Sequence, residues 1–299
     1  MKTSVIIPTF NGAQKIVAAL TSLEKQTFRD FEVVIVIDGS TDNTESVVQR
    51  FKASFSNFII RVTRNGGRAA AKNEGAIISN GNLLIFVDDD LRLFENAIER
   101  HINHQLEHPD EIIFGHLEMD PEKVKQNDFW NYRRTVESSW RHDQNGIVTF
   151  NNYGITSANL SLSKQVFEQI GGFDSTLRDC EDFDFGIRAI QQHITIRYVP
   201  EIDGYHDDFS TLISYINRQN EYKKAKYILL EKHPEYKKML PDHFELTGKR
   251  RGDVVKRLIF KNSRRWEFMF DSKLFSAVPQ FLRYKLYSTY IYVHSLILP

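Results

Sequence analysis

The chain has 299 residues, enough for one large α/β domain or two smaller ones, and its 41% hydrophobic and 26% charged content excludes a disordered protein. A single cysteine, Cys180, excludes an intramolecular disulfide and a multi-cysteine metal site. The zero net charge hides an asymmetry, because residues 210–299 carry 18 basic and 8 acidic side chains whereas residues 1–209 carry 21 and 31. A basic segment behind an acidic body favours an anionic partner for that segment.

The amino-terminal sequence does not resemble a secretion signal. Strand-like residues begin at Thr3, without the basic region and the long apolar core of a signal peptide. No apolar run in the sequence approaches the length that spans a bilayer. Together with the lone cysteine, these features predict a cytoplasmic protein, in which any membrane association would be with the inner face.

The amino-terminal part of the chain alternates between strand and helix patterns. Apolar runs typical of buried strands lie at Ser4–Pro8, Phe31–Ile37, Phe58–Val62 and Leu83–Val87. Helical patterns lie at about 13–26, from a cap at Thr41 or Asp42 to about Lys52, and at Ala69–Ile78 after the loop Asn65-Gly66-Gly67. This order predicts an α/β fold, with a doubly wound and mostly parallel sheet that has helices on both faces.

The second half of the chain is less regular. Strand patterns at Glu111–Gly115, Ser157–Ser163 and Ile194–Val199 alternate with helical patterns at Asn96–Glu107, Lys164–Ile170 and Phe185–Gln192. Gly171 and Gly172 predict the end of the second of these helices. Residues 120–150 predict a loop and helix excursion, and the chain from Ser210 onward is rich in helical patterns.

Three adjacent carboxylates, Asp88, Asp89 and Asp90, follow the predicted strand Leu83–Val87. Open α/β sheets bind ligands at the carboxyl ends of their strands. Adjacent like charges repel, which is costly unless a cation neutralises them, and oxygen ligands of this type suit Mg²⁺ or Mn²⁺. The alternative interpretation is a solvated acidic turn. Neither G-x-G-x-x-G nor G-x-x-x-x-G-K-[ST] occurs, which disfavours a dinucleotide-binding Rossmann domain and a P-loop enzyme.

The acidic strand end belongs to an ordered series of motifs. The others are Val5–Asn11, Val34–Asp42, Asn65–Gly75, Gly171–Asp174 with Glu181–Asp184 and Arg188, and Tyr198–Pro200 with His206. Over about residues 3–208, the series resembles the family 2 inverting glycosyltransferases, which have the nucleotide-sugar-binding GT-A fold. Each motif is weak alone, and the ordered set is specific.

The resemblance implies a nucleotide-diphospho-sugar donor, most commonly a UDP-sugar, and a divalent cation. It implies donor contacts from Pro8, Thr9, Asn11, Asp38, Gly67, Lys72, Asp88 and Asp89, with Asp38 reading the base. It also implies that Asp88, Asp90 and His206 hold Mn²⁺ or Mg²⁺. The family commonly has Arg where this chain has Lys72, and Lys cannot make the planar bidentate contact of Arg with a phosphate.

On the acceptor side, the resemblance implies that Asp182 is the general base and that Gly172 and Glu181 contact the acceptor. Transfer with inversion requires a base that deprotonates the acceptor hydroxyl as it attacks the anomeric carbon. A carboxylate can do this at neutral pH when burial or a nearby like charge raises its pKa. Asp179, Glu181 and Asp184 are such like charges near Asp182 in the sequence.

Each of these residues also has a structural interpretation. Asp182 and Glu181 could complement the dipole of a helix or cap it. Asp38 could cap a turn, and Pro8 with Thr9 could be a plain strand end. A lone histidine such as His206 is commonly structural or solvated, although neutral imidazole is also a common metal ligand.

The predicted organisation is a GT-A catalytic domain at 1–209 and a helix-rich carboxyl-terminal extension at 210–299. Within the domain, about 1–115 is the nucleotide-sugar-binding half and about 116–209 the acceptor-binding half. Residues 250–299 contain ten basic, three acidic and ten aromatic residues. This composition fits an interfacial membrane helix, a helix packed on the catalytic domain, or a homodimer contact. A basic segment with aromatic residues could also attract nucleic acid, but nothing else in the sequence supports nucleic-acid binding.

The sequence therefore leads to the hypothesis of a metal-dependent inverting glycosyltransferase. Its acceptor would be a hydroxyl of a glycan or lipid-linked glycan, in cell-surface polysaccharide synthesis. One alternative is a non-catalytic nucleotide-sugar- or carbohydrate-binding protein, against which the intact acidic pairs argue. Another is a sugar-1-phosphate nucleotidyltransferase, which would need a Gly-rich basic loop where this chain has Pro8–Gly12.

Overall fold

The structure, a computed structural model, describes residues 1–138, 146–150, 154–239, 255–256, 258–260, 263–270 and 272–295. The chain divides into two compact units. The first, here called the sheet unit, comprises Met1–Asp120, Arg141–Asp208 and Leu229–Met239. The second, the helical unit, comprises Pro121–Trp140, Phe209–Ile228 and Leu240–Pro299.

An eight-stranded sheet is the centre of the sheet unit. Its strands are β1 (Thr3–Thr9), β2 (Phe31–Asp38), β3 (Asn57–Thr63), β4 (Leu83–Val87), β6 (Ile112–Gly115), β7 (Ile147–Val148), β8 (Asn159–Ser163) and β9 (Ile196–Val199). They lie side by side in the order β3-β2-β1-β4-β8-β6-β9-β7. The pairs among β1, β2, β3 and β4 are parallel, and so is β6 with β9. β8 runs antiparallel to β4 and β6, and β7 runs antiparallel to β9. The mostly parallel α/β sheet that the sequence predicts is therefore confirmed.

The strand order reverses between β1 and β4. The chain adds β2 and β3 on one side of β1 and then returns to place β4 on its other side. At such a reversal the connections that follow the two strands leave in opposite directions, which opens a crevice at the carboxyl edge of the sheet. Thr9 at the end of β1 and the three carboxylates after β4 meet at this edge, so the fold itself selects the location of the site.

Helices cover both faces of the sheet. They are α1 (Ile16–Glu24), α2 (Thr44–Gln49), α3 (Arg68–Ile78), α4 (Ala97–Glu107), α7 (Lys164–Ile170) and α8 (Glu181–Gln191). One apolar core joins sheet side chains such as Ile6 and Phe86 to α3, α7 and α8. The other joins Val5 and Ile85 to α1, α2 and α4. Successive strand residues point to opposite faces, so the continuous apolar runs of β1 and β4 supply both cores.

A second, two-stranded sheet follows the acidic strand end. Strand β5 (Leu91–Leu93) pairs antiparallel with β10 (Gly204–His206), with His206 opposite Leu91. The sequence patterns predict neither strand. Both are three residues long, which is too short for an alternating pattern to indicate a strand. Their pairing brings His206 beside Asp90, 116 positions earlier in the chain.

The helical unit has its own core, formed largely by aromatic residues. Its described helices are α5 (Pro121–Val124), α6 (Asp128–Glu137), the larger part of α9 (Leu212–Lys232), α10 (Ser263–Phe270), α11 (Lys273–Ser276) and α12 (Gln280–His294). Phe260, Phe270, Tyr287 and Tyr290 are buried in this core, with Trp266 and Tyr284 packed against it. Phe268 and Phe281 are exposed. Most of the aromatic side chains that the sequence analysis weighs as an interfacial surface are therefore core residues of this unit.

The predicted helix bounds differ from the observed ones in two informative places. Helix α8 begins at Glu181, four residues before the predicted start at Phe185, so Glu181 and Asp182 lie in its first turn. Within the loop and helix excursion predicted at 120–150, residues 121–137 contain two helices that belong to the helical unit. Residues 139–145 and 151–153 lie outside the described residues. Among the described residues, none of the helices combines the length and the apolarity needed to cross a membrane.

Candidate active site

The carboxyl edge of the sheet begins with a contact between β1 and the acidic strand end. Thr9 Oγ1 donates a hydrogen bond to Asp89 Oδ2 at 2.7 Å, and both residues are buried. Burial raises the pKa of Asp89 to about 6, against the opposing charge of Lys15, whose Nζ lies 3.9 Å from Asp89 Oδ1. Asp89, the middle one of the three adjacent carboxylates, thus links the end of β4 to β1. Pro8 lies buried in the preceding position of β1.

The turn after β1 is held by the loop after β2. Asn11 has a positive φ of 47°, its N–H donates to Ser40 Oγ at 2.9 Å, and its Oδ1 accepts from Thr41 N at 2.8 Å. Gly12 N donates to Thr44 Oγ1 at 2.9 Å. Asparagine adopts this backbone region more readily than most residues. The side chain of Asn11 therefore joins the two turns that are predicted to hold the nucleotide.

Asp38, at the end of β2, organises the loop before α3. Its carboxylate oxygens accept hydrogen bonds from the backbone N–H groups of Gly66 and Gly67, each at 2.8 Å. Thr63 Oγ1 donates to Asp38 Oδ1 at 3.2 Å, and Asp38 is only 4% exposed. Gly67 has a φ of 90°, which favours glycine, and it precedes α3 directly. The role of Asp38 in this structure is to fix the loop; reading of the base by Asp38 stays a prediction.

Lys72 is buried at the centre of the site. Its side chain is 1% exposed, and its Nζ lies 3.5 Å from Asp88 Oδ1 and 3.5 Å from Glu181 Oε1. The ammonium group also donates to Ser157 Oγ and lies 5.6 Å from the ring centroid of Phe173. A buried ammonium is stable only when charged and polar groups surround it. Lys72 thus connects the donor motif to the acceptor motif by an ion pair on each side.

The acceptor motif forms the first turn of α8. Cys180 precedes this helix with a positive φ of 61°, and Asp182 Oδ1 accepts a hydrogen bond from Phe183 N at 2.9 Å. Desolvation and the neighbouring Glu181 carboxylate raise the pKa of Asp182 to about 7, against the charges of Lys72 and Arg68. A carboxyl group with such a pKa exchanges a proton readily near neutral pH, which is what a general base must do.

Asp90 and His206 form an ion pair beside this cluster. His206 Nε2 lies 3.2 Å from Asp90 Oδ1. Although burial disfavours the imidazolium, the hydrogen bond and charge of Asp90 raise the pKa of His206 to about 9, and His206 helps to hold the pKa of Asp90 well below its usual range. Among the described residues, no cluster of three or more histidine, cysteine, aspartate or glutamate side chains is arranged to hold a metal ion. Of the predicted metal ligands Asp88, Asp90 and His206, the last two form an ion pair here. Binding of a metal ion by the three residues stays a prediction.

Gly172 lies where α3 approaches the acceptor loop. Its φ is 69°, and a Cβ at this position would lie 2.9 Å from Asn73 Oδ1. The Asn73 side chain accepts from Phe173 N at 2.9 Å and donates to Phe173 O at 2.7 Å, as a neighbouring strand would. Asn73 follows Lys72 on α3, so one short helix fixes both the acceptor loop and the buried ammonium.

Arg68 is a site residue that the sequence analysis does not single out. It is the first residue of α3, and its Nε lies 3.9 Å from Glu181 Oε1. Its positive charge acts on both Asp90 and Asp182, and favours the ionised form of each. The motif Asn65–Gly75 contains Arg68, but only the fold shows that its charge reaches both carboxylates.

Comparison with known proteins identifies a family and related folds. The family model described as "Glycosyl transferase family 2" matches residues 4–171. An uncharacterized glycosyltransferase of Haemophilus influenzae is 31% identical over 190 residues, which cover 63% of this chain and 62% of that protein. A poly(ribitol-phosphate) beta-glucosyltransferase of Bacillus spizizenii is 25% identical, covering 94% of this chain and 46% of that protein. The chain thus spans less than two thirds of the length of these curated relatives.

Two solved structures share the fold. S. aureus TarS 1-349 in complex with UDP-GlcNAc has a TM-score of 0.58 and 18% identity, covering 99% of this chain and 90% of that chain. The mannosyltransferase PcManGT from Pyrobaculum calidifontis, in complex with GDP-Man and Mn²⁺, has a TM-score of 0.62 and 17% identity, covering 99% and 84%. At these identities the likeness supports the predicted GT-A fold alone.

The burial of Lys72 leads to a prediction about stability. Replacing Lys72 by Met leaves the buried carboxylate of Glu181 and the partly buried one of Asp88 without their shared cation, so we expect a loss of about 3–5 kcal/mol in the free energy of unfolding. The matched control is Lys125→Met, which removes an exposed ion pair whose Lys125 Nζ–Glu122 Oε1 distance is 2.6 Å. That control should cost about 0–1 kcal/mol. Equal losses in urea denaturation would contradict the buried role of Lys72.

Proposed function

The chain belongs to glycosyl transferase family 2, and from this premise we propose that it transfers a sugar from a nucleotide-diphospho-sugar to an acceptor hydroxyl with inversion of anomeric configuration. The observation that carries the proposal is the position of Asp182. Its partly buried carboxyl group, with a pKa raised to about 7, is joined through Glu181 and Lys72 to Asp88 at the strand end. A base and a predicted donor-binding carboxylate are thus parts of one charge network.

We propose a role for each predicted residue around the donor. The turn Pro8–Asn11 and Asp38 would hold the nucleotide. The hydrogen bonds of Asn11 with Ser40 and Thr41 fix the position of this turn. Gly67 at the start of α3 would lie near the diphosphate, because a helix amino terminus favours anions. Because the Lys72 side chain is buried and its ammonium group pairs with Asp88, its charge would act on the donor through Asp88.

On the acceptor side, Asp182 would accept the proton of the attacking hydroxyl. Glu181 raises the pKa of Asp182 by like-charge repulsion, which makes the carboxylate a stronger base. Glu181 and Gly172 would lie beside the acceptor. The ion pairs of Glu181 with Lys72 and Arg68 hold its carboxylate in one orientation, so it can both tune Asp182 and accept a hydrogen bond from an acceptor hydroxyl.

The side chains at the acidic strand end are of the chemical types that ligate a divalent cation. Asp88 Oδ1 is buried and accepts no hydrogen bond among the described residues, and Asp90 with His206 supplies a carboxylate and an imidazole. Asp88, Asp90 and His206 would hold Mn²⁺ or Mg²⁺, and His206 would have to lose its proton to ligate. When bound, the cation would neutralise charge on the departing diphosphate. The Mn²⁺ of the Pyrobaculum structure supports this proposal.

We propose a UDP-sugar donor and a glycan or lipid-linked glycan acceptor in cell-surface polysaccharide synthesis. The UDP-GlcNAc complex of TarS supports the choice of nucleotide. The name of the Bacillus relative, a poly(ribitol-phosphate) beta-glucosyltransferase, supports a polymeric acceptor. In this proposal residues 1–209 form the catalytic domain and residues 210–299 an extension.

Loss of the Asp182 carboxylate should stop transfer without stopping donor binding. For Asp182→Asn we expect at least about a 10²-fold fall in kcat, because general-base catalysis contributes about that much. In the wild type, kcat should fall about tenfold per pH unit below about pH 7, since protonation removes the base. The control Asp110→Asn replaces an exposed carboxylate and should leave the profile unchanged. A fully active Asp182→Asn variant would refute the proposal.

Donor binding can be tested without an acceptor. At a concentration of 100 times its Kd, a bound UDP-sugar should stabilise the fold by about 2.7 kcal/mol, seen as a rise in Tm. If Asp88, Asp90 and His206 hold a cation with the diphosphate, the rise should be larger with Mn²⁺ than with EDTA. Asp90→Asn should abolish that difference, with Asp110→Asn as the control. No shift with UDP-, GDP- or dTDP-sugars would count against the proposed donor class.

We further propose that the helical unit contacts the anionic inner face of the membrane. Three large apolar side chains are highly exposed close together in the sequence: Phe268 (80%), Leu274 (83%) and Phe281 (70%). The surrounding segment is basic, which favours anionic lipid. The full chain should cosediment with vesicles containing phosphatidylserine, and Phe268→Ser with Phe281→Ser should release it. Ile77→Ser, at a 71% exposed position of α3, is the control. Retention by the double variant would overturn this contact.

A further inference from the structure

A second charge cluster lies on α8, two residues after Asp182. The carboxylate of Asp184 is fully buried, and its Oδ2 accepts a hydrogen bond from Arg188 Nε at 2.8 Å. Its Oδ1 accepts one from His233 Nε2 at 2.9 Å and lies 2.6 Å from Lys232 Nζ. Although burial alone would raise the pKa of Asp184, these partners hold it below its usual range. The first turn of α8 therefore contains a buried negative charge that depends on its cations.

Two of these partners come from a distant part of the chain. Lys232 ends α9 and His233 follows it, in the segment Leu229–Met239 that belongs to the sheet unit. The side chain of His233 is 8% exposed and that of Lys232 is 35% exposed. Glu235, next along this segment, accepts a hydrogen bond from Gln191 at the last residue of α8. The segment thus contacts α8 at both ends, although it lies beyond the residues that the family model matches.

Asp184 also orders the loop that precedes α8. Arg188, held by Asp184, donates to the carbonyl oxygens of Ile170 at 2.6 Å and Gly172 at 2.7 Å. Lys232 pairs with Asp174 as well as with Asp184. The same cluster therefore fixes the glycine turn at the end of α7 and the first turn of α8, which are the two segments predicted to contact the acceptor.

We infer that Lys232, which shares the buried Asp184 with His233, is a positioning residue for the general base; this inference rests on the proposed role of Asp182. Glu181, Asp182 and Asp184 place three carboxylates in one helical turn, which repel each other. From α3, Lys72 and Arg68 face Glu181 and Asp182. From the segment 229–239, Lys232 and His233 face Asp184, and Arg188 of α8 itself pairs with Asp184 as well. Asp174 in turn pairs with Lys232, and Glu235 lies beside His233.

Removing the Lys232 charge should therefore affect Asp182 in two ways. The first turn of α8 and the glycine turn lose a shared anchor, so the Asp182 carboxylate is held less firmly against the acceptor. The buried charge of Asp184 is also less compensated, which disfavours a second negative charge two residues away. A role limited to stability would lower the population of folded protein but would not move the acid limb of the pH profile.

The experiment compares Lys232→Met with Lys237→Met in the full chain. Lys237 is exposed in the same segment, and its side chain makes no ion pair or hydrogen bond with the described residues. For Lys232→Met we expect kcat to fall about tenfold, as for a small misplacement of a reacting group, while the donor KM is unchanged. We also expect the acid limb of kcat to move to higher pH. Lys232→Arg should retain both wild-type values, and so should Lys237→Met.

Charge balance supplies a rescue test. In Lys232→Met with Asp184→Asn, both the cation and its buried partner are neutral, so the acid limb should return towards the wild-type pH. A limb that stays at the same pH in Lys232→Met as in Lys237→Met would overturn the inference, and so would a double variant whose limb stays displaced. If Lys232→Met does not fold, the same comparisons are made with Lys232→Gln, which keeps a hydrogen-bond donor.

Hydrogen exchange separates this inference from the proposed function. In Lys232→Met, amides of residues 171–175 and 181–185 should exchange faster than in Lys237→Met, while amides of β1 should be unchanged. Unchanged exchange in both segments would overturn the positioning role even if Asp182 is the base. If exchange is faster in Lys232→Met but Asp182→Asn is fully active, Lys232 orders α8 and the proposed identity of the base is wrong.

Discussion

The site depends on one buried positive charge. The ammonium group of Lys72 lies 3.5 Å from a carboxylate oxygen of Asp88 and 3.5 Å from one of Glu181, within the protein. The buried ammonium is costly without opposite charges beside it, and it in turn stabilises the buried carboxylate of Glu181 and the partly buried one of Asp88. Because Asp88 follows β4 and Glu181 begins α8, this charge joins the two halves of the site. Desolvation and the adjacent Glu181 carboxylate raise the pKa of Asp182, and the charge of Lys72 opposes that rise.

The remaining contacts place that charge at the functional edge of the sheet. The reversal of strand order between β1 and β4 opens the crevice, and Asp38 fixes the loop from which α3 starts. Helix α3 then carries Lys72 inward and Asn73 towards the glycine turn. Cations therefore lie on both sides of the first turn of α8, with Lys72 and Arg68 on one side and Lys232 on the other.

The sequence predicted the elements whose patterns are local. The apolar runs of β1, β2 and β4 predict buried strands, and Gly171 predicts the end of α7. In the structure Gly171 has a positive φ of 90°, as expected of a glycine that ends a helix. The direction of β8 was not predictable, because an apolar run carries no information about its partner. The predicted start of α8 at Phe185 is four residues late, because the sequence does not distinguish acidic residues inside a first helical turn from acidic residues that cap the helix from outside it.

The sequence motifs select the candidate site residues, but they do not predict how these residues are arranged. The family motifs indicate Asp182, Asp88 and Lys72. The structure encloses Lys72 between two carboxylates, which no motif predicts, and its role in donor binding stays a prediction. Lys232 and His233 gave no signal, because their partner Asp184 is 49 positions from His233 in the chain and no motif includes them. Contacts of this kind depend on tertiary packing, which single-sequence patterns do not record.

A double-mutant cycle on Lys72 and Glu181 tests the central claim most directly. The free energy of unfolding would be measured by urea denaturation for the wild type, Lys72→Met, Glu181→Gln and the double variant. Residues in direct buried contact should show a coupling of about 0.5–3 kcal/mol, so that the double variant is less destabilised than the sum of the single variants. Additive losses would contradict the account, because they would mean that Lys72 and Glu181 do not share the charge that joins the donor and acceptor sides.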